Sequence, residues 1–351
     1  MRTILFFARD PGGANSLIDI INACSEVYDC SVYAKDFACT SFTQTKIEYI
    51  EVGDENDFLA RVKNYDLVFT GTSYGDNLEH LIWEKAQEVG VKCIAYLDHW
   101  MGYERFFNNK QEKYIFPQYL IVVDNIAKDY VVQKFSNHNF DVIALGSTFL
   151  EKLLDAALTK ENLVQYKSKL NLTAFDEVIV YAAEKIKGYE AEGRYGFNEY
   201  QQFEKLYKYL LKQNKEIKLF FIPHPKHSRY EVELELSNIV LEKNKNITVT
   251  INTEYDKNLL VQVADKVFGI NTMVLVEALI YKVPSCSIQI GIQQDSDFQL
   301  IKKDIIFNAD TDEKLRQFIC NQVAVSGYEI KNIENSLSNL MTLINNMIDD
   351  E

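Results

Sequence analysis

Short apolar runs recur along the chain and alternate with longer stretches whose apolar positions follow helical spacing. In the first part the runs lie at 3–8, 30–34, 47–51, 66–71, 92–97, 119–123 and 141–145, with helical stretches near 14–25, 76–89 and 126–136. Strands alternating with helices build βαβ units and therefore a mostly parallel sheet. Asp66-Leu67-Val68-Phe69-Thr70 and Tyr119-Leu120-Ile121-Val122-Val123 are apolar on both faces, as interior strands of such a sheet must be. Beyond Gly146-Ser147 a polar helical region, 148–170, carries charges throughout and little strand character.

A second α/β series follows. It reads as strand 177–183, helix 198–213, strand 217–222, helix 229–241, strand 247–251, helix 256–264, strand 266–269, helix 272–281, strand 284–290 and helix 311–323. The final stretch, 330–348, places Ile333, Leu337, Leu340, Leu343 and Ile344 on one stripe. The pattern predicts an α/β protein with two Rossmann-like, doubly wound domains. They are expected at 1–147 and 177–327, with a linker over 148–176 and a C-terminal helix over 328–351. Ligands in such sheets bind beyond the carboxyl ends of the strands, so two domains presenting those ends to each other would face across a ligand cleft.

Length supports two domains, because 351 residues exceed one ordinary core. Apolar residues are 47% and charged residues 25%, the profile of a soluble globular protein. No apolar run approaches the ~20 residues that span a bilayer. The N-terminus runs straight into Thr3-Ile4-Leu5-Phe6-Phe7-Ala8 without a signal-peptide pattern. A cytoplasmic protein with at most peripheral membrane contact is expected. Cys24, Cys30, Cys39, Cys93, Cys286 and Cys320 show no C-x-x-C spacing and read as reduced, incidental thiols. A net charge of −14 argues against nucleic acid as a partner.

The stretch from Asp265 to Leu279 carries the first chemical signal. An apolar strand ends in Gly269, and Asn271 and Thr272, both good N-caps, open a helix. Its first amides would point outward as an anion site. Glu277 follows five residues after Thr272, near enough to reach a hydroxyl carried by a bound phosphate, and phosphate with a diol spells a nucleotide. An ordinary strand-to-helix turn with a surface glutamate fits the same letters.

The turn Ala8-Arg9-Asp10-Pro11-Gly12-Gly13-Ala14-Asn15-Ser16 places Asp10 at a strand end. Gly12 and Gly13 would let the backbone pass close to a ligand, and Asp10 suits a general base for a hydroxyl or, equally, a helix cap. The third glycine of a dinucleotide fingerprint is missing. The loop Tyr96–Phe106 clusters Asp98, His99, Trp100, Tyr103 and Arg105, either to hold a sugar or to fill an aromatic core, and Asp98 and His99 are the rivals of Asp10 for the base. Residues 70–76 would line the same region.

In the second half, Phe220-Phe221-Ile222-Pro223-His224-Pro225-Lys226-His227 presents His224 between two prolines, in a catalytic or a structural role. Lys226, His227 and Arg229 lie just beyond, as cations that could neutralise a diphosphate leaving group. Lys185, Lys187 and Arg194 follow strand 177–183; Lys185 and Arg194 are candidate donor ligands and Lys187 reads as solvated. Asp295-Ser296-Asp297 has the letters of a D-x-D motif but sits in a Gln-rich segment that reads as a solvated loop, so no metal and no cofactor is expected.

The order of parts resembles the glycosyltransferase-B (GT-B) fold. The strand-His-Pro element (His224, Pro225) and the Gly269-to-Ala278 element resemble those of non-hydrolysing UDP-N-acetylglucosamine 2-epimerases, bacterial sialyl- and Kdo-type transferases, and polyol-phosphate transferases. The resemblance implies that His224 and Thr272 meet donor phosphates and that Glu277 meets the ribose. The chain lacks the epimerases' paired glycines and glutamates in this element and their Gly-Thr-Arg-Pro-Glu in the first loop. The activity implied is therefore metal-independent transfer of a sugar from a nucleotide-sugar donor, UDP or CMP type, to a bacterial surface glycan or glycolipid. In that reading His224, Lys226, Arg194 and a helix N-terminus neutralise the leaving phosphate. A UDP-sugar 2-epimerase, a CDP-polyol phosphotransferase and a non-catalytic nucleotide-sugar-binding or assembly subunit are the alternatives.

Overall fold

A computed structural model of the protein describes residues 1–74, 77–240, 246–322 and 333–349. Gly75 and Asp76 of the lining loop, the first residue of the helix expected at 76–89, and the start of the C-terminal helix expected from 328 or 330 lie outside the described residues.

The chain divides into two compact units, the first being residues 1–152 with the C-terminal helix and the second beginning at Leu153. In chain order the first contains β1 (Thr3–Ala8), α1 (Pro11–Ser25), β2 (Asp29–Ala34), α2 (Phe37–Thr45), β3 (Ile50–Glu51), α3 (Glu55–Arg61), β4 (Leu67–Thr70), α4 (Leu78–Val89) and β5 (Lys92–Leu97). A short hairpin, β6 (Phe107–Asn108) with β7 (Lys113–Tyr114), precedes β8 (Tyr119–Val122), α5 (Asn125–Lys134) and β9 (Asp141–Ala144). The polar region 148–170 forms two helices, α6 (Thr148–Asp155) and α7 (Lys160–Lys169).

The second unit continues with β10 (Glu177–Ala182), α8 (Glu190–Tyr195), α9 (Glu199–Leu210), β11 (Ile217–Ile222), α10 (Arg229–Ile239), β12 (Ile247–Ile251), α11 (Lys257–Val263) and β13 (Lys266–Gly269). After these come α12 (Val274–Ile280), β14 (Ser285–Ile288), α13 (Gln299–Lys302), β15 (Phe307–Ala309) and α14 (Asp312–Ile319). The last helix, α15 (Ser336–Asp349), belongs to the first unit.

The seven-stranded sheet of the first unit has the order β3-β2-β1-β4-β5-β8-β9, and the six-stranded sheet of the second has the order β12-β11-β10-β13-β14-β15. Every pairing in both is parallel. Each is thus a doubly wound α/β sheet of the Rossmann type. All four residues of β4 and all six of β10 are buried, which explains why these strands read as continuous apolar runs.

Helix starts follow capping chemistry. Asp10, Asp124, Ser228, Asp256 and Thr311 each accept a main-chain N–H three residues on, and Asn198 and Gln201 form a reciprocal capping box on α9. Helix α2 was not expected, because Phe-Ala-Cys-Thr-Ser-Phe-Thr-Gln-Thr is poor in strong helix formers. It forms by packing Ala38 and Phe42 into the core of the first unit. The strand expected at 47–51 shortens to the two residues that pair with Tyr33 and Ala34.

Phe6, Phe69, Leu17, Ile20 and Tyr96 centre the first core, and Leu340, Ile344, Met347 and Ile348 of α15 complete it. Burying each such side chain contributes roughly 1.5–3 kcal/mol, so the amphipathic stripe is a structural part of this unit. Tyr181, Phe203, Phe221, Phe268 and Phe318 centre the second core. No helix among the described residues is long and apolar enough to cross a membrane.

Candidate functional site

In a doubly wound sheet the crevice for ligands opens where strand order reverses. Here the reversals lie between β1 and β4 in the first unit and between β10 and β13 in the second. The candidate residues lie in the loops after these strands and after their neighbours β5, which precedes Asp98 and His99, and β11, which precedes His224 and Lys226.

In the first unit Asp10 Oδ1 accepts the Gly13 N–H at 2.7 Å and caps α1. Burial raises its pKa above the usual carboxylate value, outweighing the opposing pull of that amide and of Arg105 and Arg9. The Ser16 hydroxyl donates to Asp98 Oδ2 at 2.7 Å, fastening the loop after β5 to α1. Arg9 binds Asp36 at 2.7 Å and donates to the Tyr74 carbonyl at 2.8 Å. Arg105 donates to the Thr72 carbonyl and hydroxyl at 3.1 and 2.9 Å, and its guanidinium stacks on the Tyr74 ring. His99 stands beside Asp98, whereas Trp100 is buried and donates to Asp124 at 2.9 Å, so the aromatic part of this loop is core.

Gly13 of the first turn has a packing role of its own. A methyl group on Gly71 would lie 2.9 Å from Gly13 Cα, so these two positions let the loops after β1 and β4 touch. Gly12 meets only the Asp10 carboxylate, at 3.8 Å from where a side chain would begin. Gly102 has a φ of +80°, and a side chain there would collide with Tyr74 and Arg105.

In the second unit the turn after β13 departs from expectation. Helix α12 begins at Val274 rather than 272, with Met273 at its N-cap position. Asn271 is buried: its Oδ1 accepts from Gln289 at 2.9 Å and Ser296 at 2.8 Å, and its Nδ2 donates to the Tyr195 hydroxyl at 3.2 Å. Its main-chain N–H, expected to point outward unpaired, donates to Glu184 Oε2 at 2.8 Å. Thr272 Oγ1 accepts the Val274 N–H at 3.3 Å. Ser296 is turned inward by its bond to Asn271, so the Asp295-Ser296-Asp297 segment is not solvated throughout. Among the described residues no group of three or more His, Cys, Asp or Glu is placed to hold a metal ion.

Glu277 is not on the surface. Its side chain is 2% exposed; Oε1 meets the Lys257 ammonium at 2.6 Å, while Oε2 is buried with no hydrogen-bond partner among the described residues. Lys185 and Lys187 are each paired, with Glu231 and Glu235 of α10. Lys185 is largely buried in its pair and Lys187 is 40% exposed, because α10 presents glutamates to the loop after β10. Arg194 stacks on the neighbouring Tyr195 ring and donates to its hydroxyl at 2.9 Å. Lys226 is exposed.

His224 is held by its own turn. Its main-chain N–H donates to His227 Nδ1 at 3.0 Å, and its Nδ1 accepts the Lys226 N–H at 3.1 Å. Neutral His224 therefore carries its proton on Nε2, and burial lowers its pKa, with the neighbouring His227 and Lys226 adding to the effect. His227 is not a phosphate cation. Its Nε2 meets Glu199 Oε1 at 2.8 Å with both side chains at 0% exposure. Glu199 Oε2 in turn accepts the N–H groups of Ile186 and Lys187 at 3.1 and 2.8 Å.

Four functional-looking groups escaped sequence reading. Glu184, Glu199, Glu79 and Lys257 sit in loops or first helical turns where charged residues are ordinary. Only the acidic residue placed directly after the apolar Glu177–Ala183 run gave a signal. Glu79 is buried, accepts the Ser73 hydroxyl, and has its pKa pushed up by burial to about 7; Glu184 likewise titrates near about 7 because of burial.

No protein-family model and no curated protein matches the chain. Solved structures do. The UDP-GlcNAc 2-epimerase of Methanocaldococcus jannaschii superposes with a TM-score of 0.66 at 14% identity, over 98% of this chain and 99% of that one. A glycosyltransferase from Rickettsia africae gives 0.60 at 13% identity, over 99% and 96%. Anabaena Alr3699/HepE in complex with UDP and glucose gives 0.59 at 14% identity, over 99% and 96%. The protein has the GT-B fold, in agreement with the resemblance read from the sequence. At these identities the likeness carries the fold alone.

Proposed function

We propose that the protein is a glycosyltransferase that moves a sugar from a nucleotide-sugar donor to a surface-glycan acceptor. The second unit would hold the nucleotide and the first the acceptor. The observation that carries this reading is Glu277, a buried carboxylate on the first turns of α12 whose Oε2 has no hydrogen-bond partner among the described residues. A carboxylate oxygen kept from both water and protein donors suits a ribose hydroxyl. His224, with Nε2–H as donor, would meet the diphosphate, and Lys226 stands two residues on to add positive charge. Asp10 would accept the proton of the attacking hydroxyl, because its raised pKa makes it a stronger base than an exposed carboxylate. The Asn271 amide is occupied by Glu184, which leaves Thr272, not Asn271, as the turn residue able to approach a phosphate.

A 2-epimerase is the second reading, favoured by Asp98, a second carboxylate whose charge acts on Asp10. Inverting a carbon that bears hydrogen needs a proton removed on one face and returned on the other. Full-length likeness to several UDP-GlcNAc 2-epimerases supports it too.

Calorimetry with UDP, CDP, CMP and GDP, followed by product analysis with the matching sugar nucleotides, tests both. Sugar appearing on an added oligosaccharide with release of nucleotide is the expected result. Conversion of UDP-GlcNAc to its 2-epimer without acceptor would establish the second reading. Binding without any turnover would leave a non-catalytic nucleotide-sugar protein. Activity lost in chelator and restored by manganese would overturn the metal-independent mechanism.

A further inference from the structure

Lys257 opens α11, and its ammonium rests on Glu277 Oε1 at 2.6 Å. The two partners differ in exposure: 37% for the lysine side chain and 2% for the glutamate. Two polar atoms at this pair are buried and without hydrogen-bond partners among the described residues: Glu277 Oε2 and the Tyr281 hydroxyl one helical turn on. Folded chains leave few such atoms, since each has given up its hydrogen bonds to water without replacement. Glu277 and Tyr281 are close enough to interact: burial first, and then the Glu277 charge, push the tyrosine up to about 12.

The chemistry of the two atoms limits what they bind. One is an acceptor and the other a hydroxyl that donates or accepts, so a phosphate, which only accepts, fits poorly. A vicinal diol supplies two O–H donors and is neutral. Being neutral, it cannot take the place of the ammonium, because a buried carboxylate without its countercharge costs several kcal/mol. Lys257 must stay in place when the diol arrives.

We propose that Lys257 is the positioning residue of the nucleotide's ribose: by occupying Oε1 of Glu277 it leaves Oε2 as the atom that receives the diol. This rests on the reading of Glu277 as ribose ligand. The test compares the tightest-binding of UDP, CDP and CMP with its 2′-deoxy analogue, by titration calorimetry on the full chain. The wild-type protein should prefer the ribonucleotide by about 10- to 100-fold, the range for a hydrogen bond to a charged group. In Lys257→Met that preference should fall toward unity, and Lys257→Arg should restore it. Glu277→Gln should also lose it. A Lys257→Met protein that keeps the full preference while Glu277→Gln loses it overturns the role of Lys257 and leaves the ribose reading intact. A wild-type protein without the preference, or a Glu277→Gln protein that retains it, overturns the ribose reading itself. Should Lys257→Met fail to fold, Lys257→Gln carries the same comparison without the charge.

Discussion

The Glu184 carboxylate receives the main-chain N–H of Asn271 at 2.8 Å, so the end of β10 is tied to the turn after β13 where the second sheet reverses its strand order. An internal carboxylate thus sits on the amide where an external anion was expected. Its proton affinity makes the tie sensitive to pH.

Burial pushes the Glu184 pKa in the folded protein up from its ordinary 4.5 to about 7. Between those values the folded protein holds a proton that the unfolded chain releases. Stability from this group is therefore full below pH 4.5 and falls as pH rises toward 7. Glu184→Gln keeps an acceptor for the Asn271 N–H and removes the titration. Urea unfolding should show wild type and variant nearly equal at pH 4.5, with the variant gaining about 3 kcal/mol by pH 8. A difference that does not change with pH would refute the assignment.

Asp10 is both the cap of α1 and the candidate base, and Asp10→Asn separates the roles because asparagine caps as well as aspartate. Helix and nucleotide affinity should survive while turnover falls by ~10²–10⁴. The wild-type rate should rise with pH through the raised pKa of Asp10, since the ionised form is the base, and this limb should vanish in the variant. If Asp10→Asn stays active while an Asp98 or His99 substitution abolishes transfer, the base lies in the loop after β5.

Much of the fold was legible because burial on both faces leaves an unmistakable mark: β1, β5, β10 and β11 are apolar runs bounded by polar turns. Helix α2 was not, since its Thr- and Ser-rich sequence owes its shape to packing against α1. For the candidate site, the sequence named the loops but not the partners their side chains find. Nothing near Asn271 in the sequence announces that Glu184, some 90 residues earlier, takes its amide. Nor does Glu277 announce Lys257, although only 20 residues separate them, because the contact is made between two helices. His227 read as a cation like its neighbours, and only the fold shows a buried Glu199 facing it.

Gly71→Ala probes the contact that joins the loops after β1 and β4. The new methyl group would stand 2.9 Å from Gly13 Cα and 3.3 Å from the Gly13 carbonyl carbon, both backbone atoms that cannot swing away. Overpacking of this kind costs typically 1–3 kcal/mol. Thermal unfolding should show a clear loss of stability, and an unchanged midpoint would mean that the two turns are not held together by this contact.

His224 and His227 are three residues apart and predict opposite phenotypes. His224 is the half-buried donor of its turn, so His224→Ala should lower turnover by ~10²–10³ with little change in stability. His227 is fully buried between Glu199 and the His224 N–H. Removing its ring leaves a buried carboxylate without its partner and a main-chain donor without its acceptor, each a known source of large destabilisation. His227→Ala should therefore cost about 3–5 kcal/mol in urea unfolding. The loop after β10 should loosen as well, because the same Glu199 holds the Ile186 and Lys187 amides. Hydrogen exchange at those two amides is the direct readout: faster exchange in His227→Ala and unchanged exchange in His224→Ala are expected. Equal exchange in the two variants would show that Glu199 holds the β10 loop without help from His227.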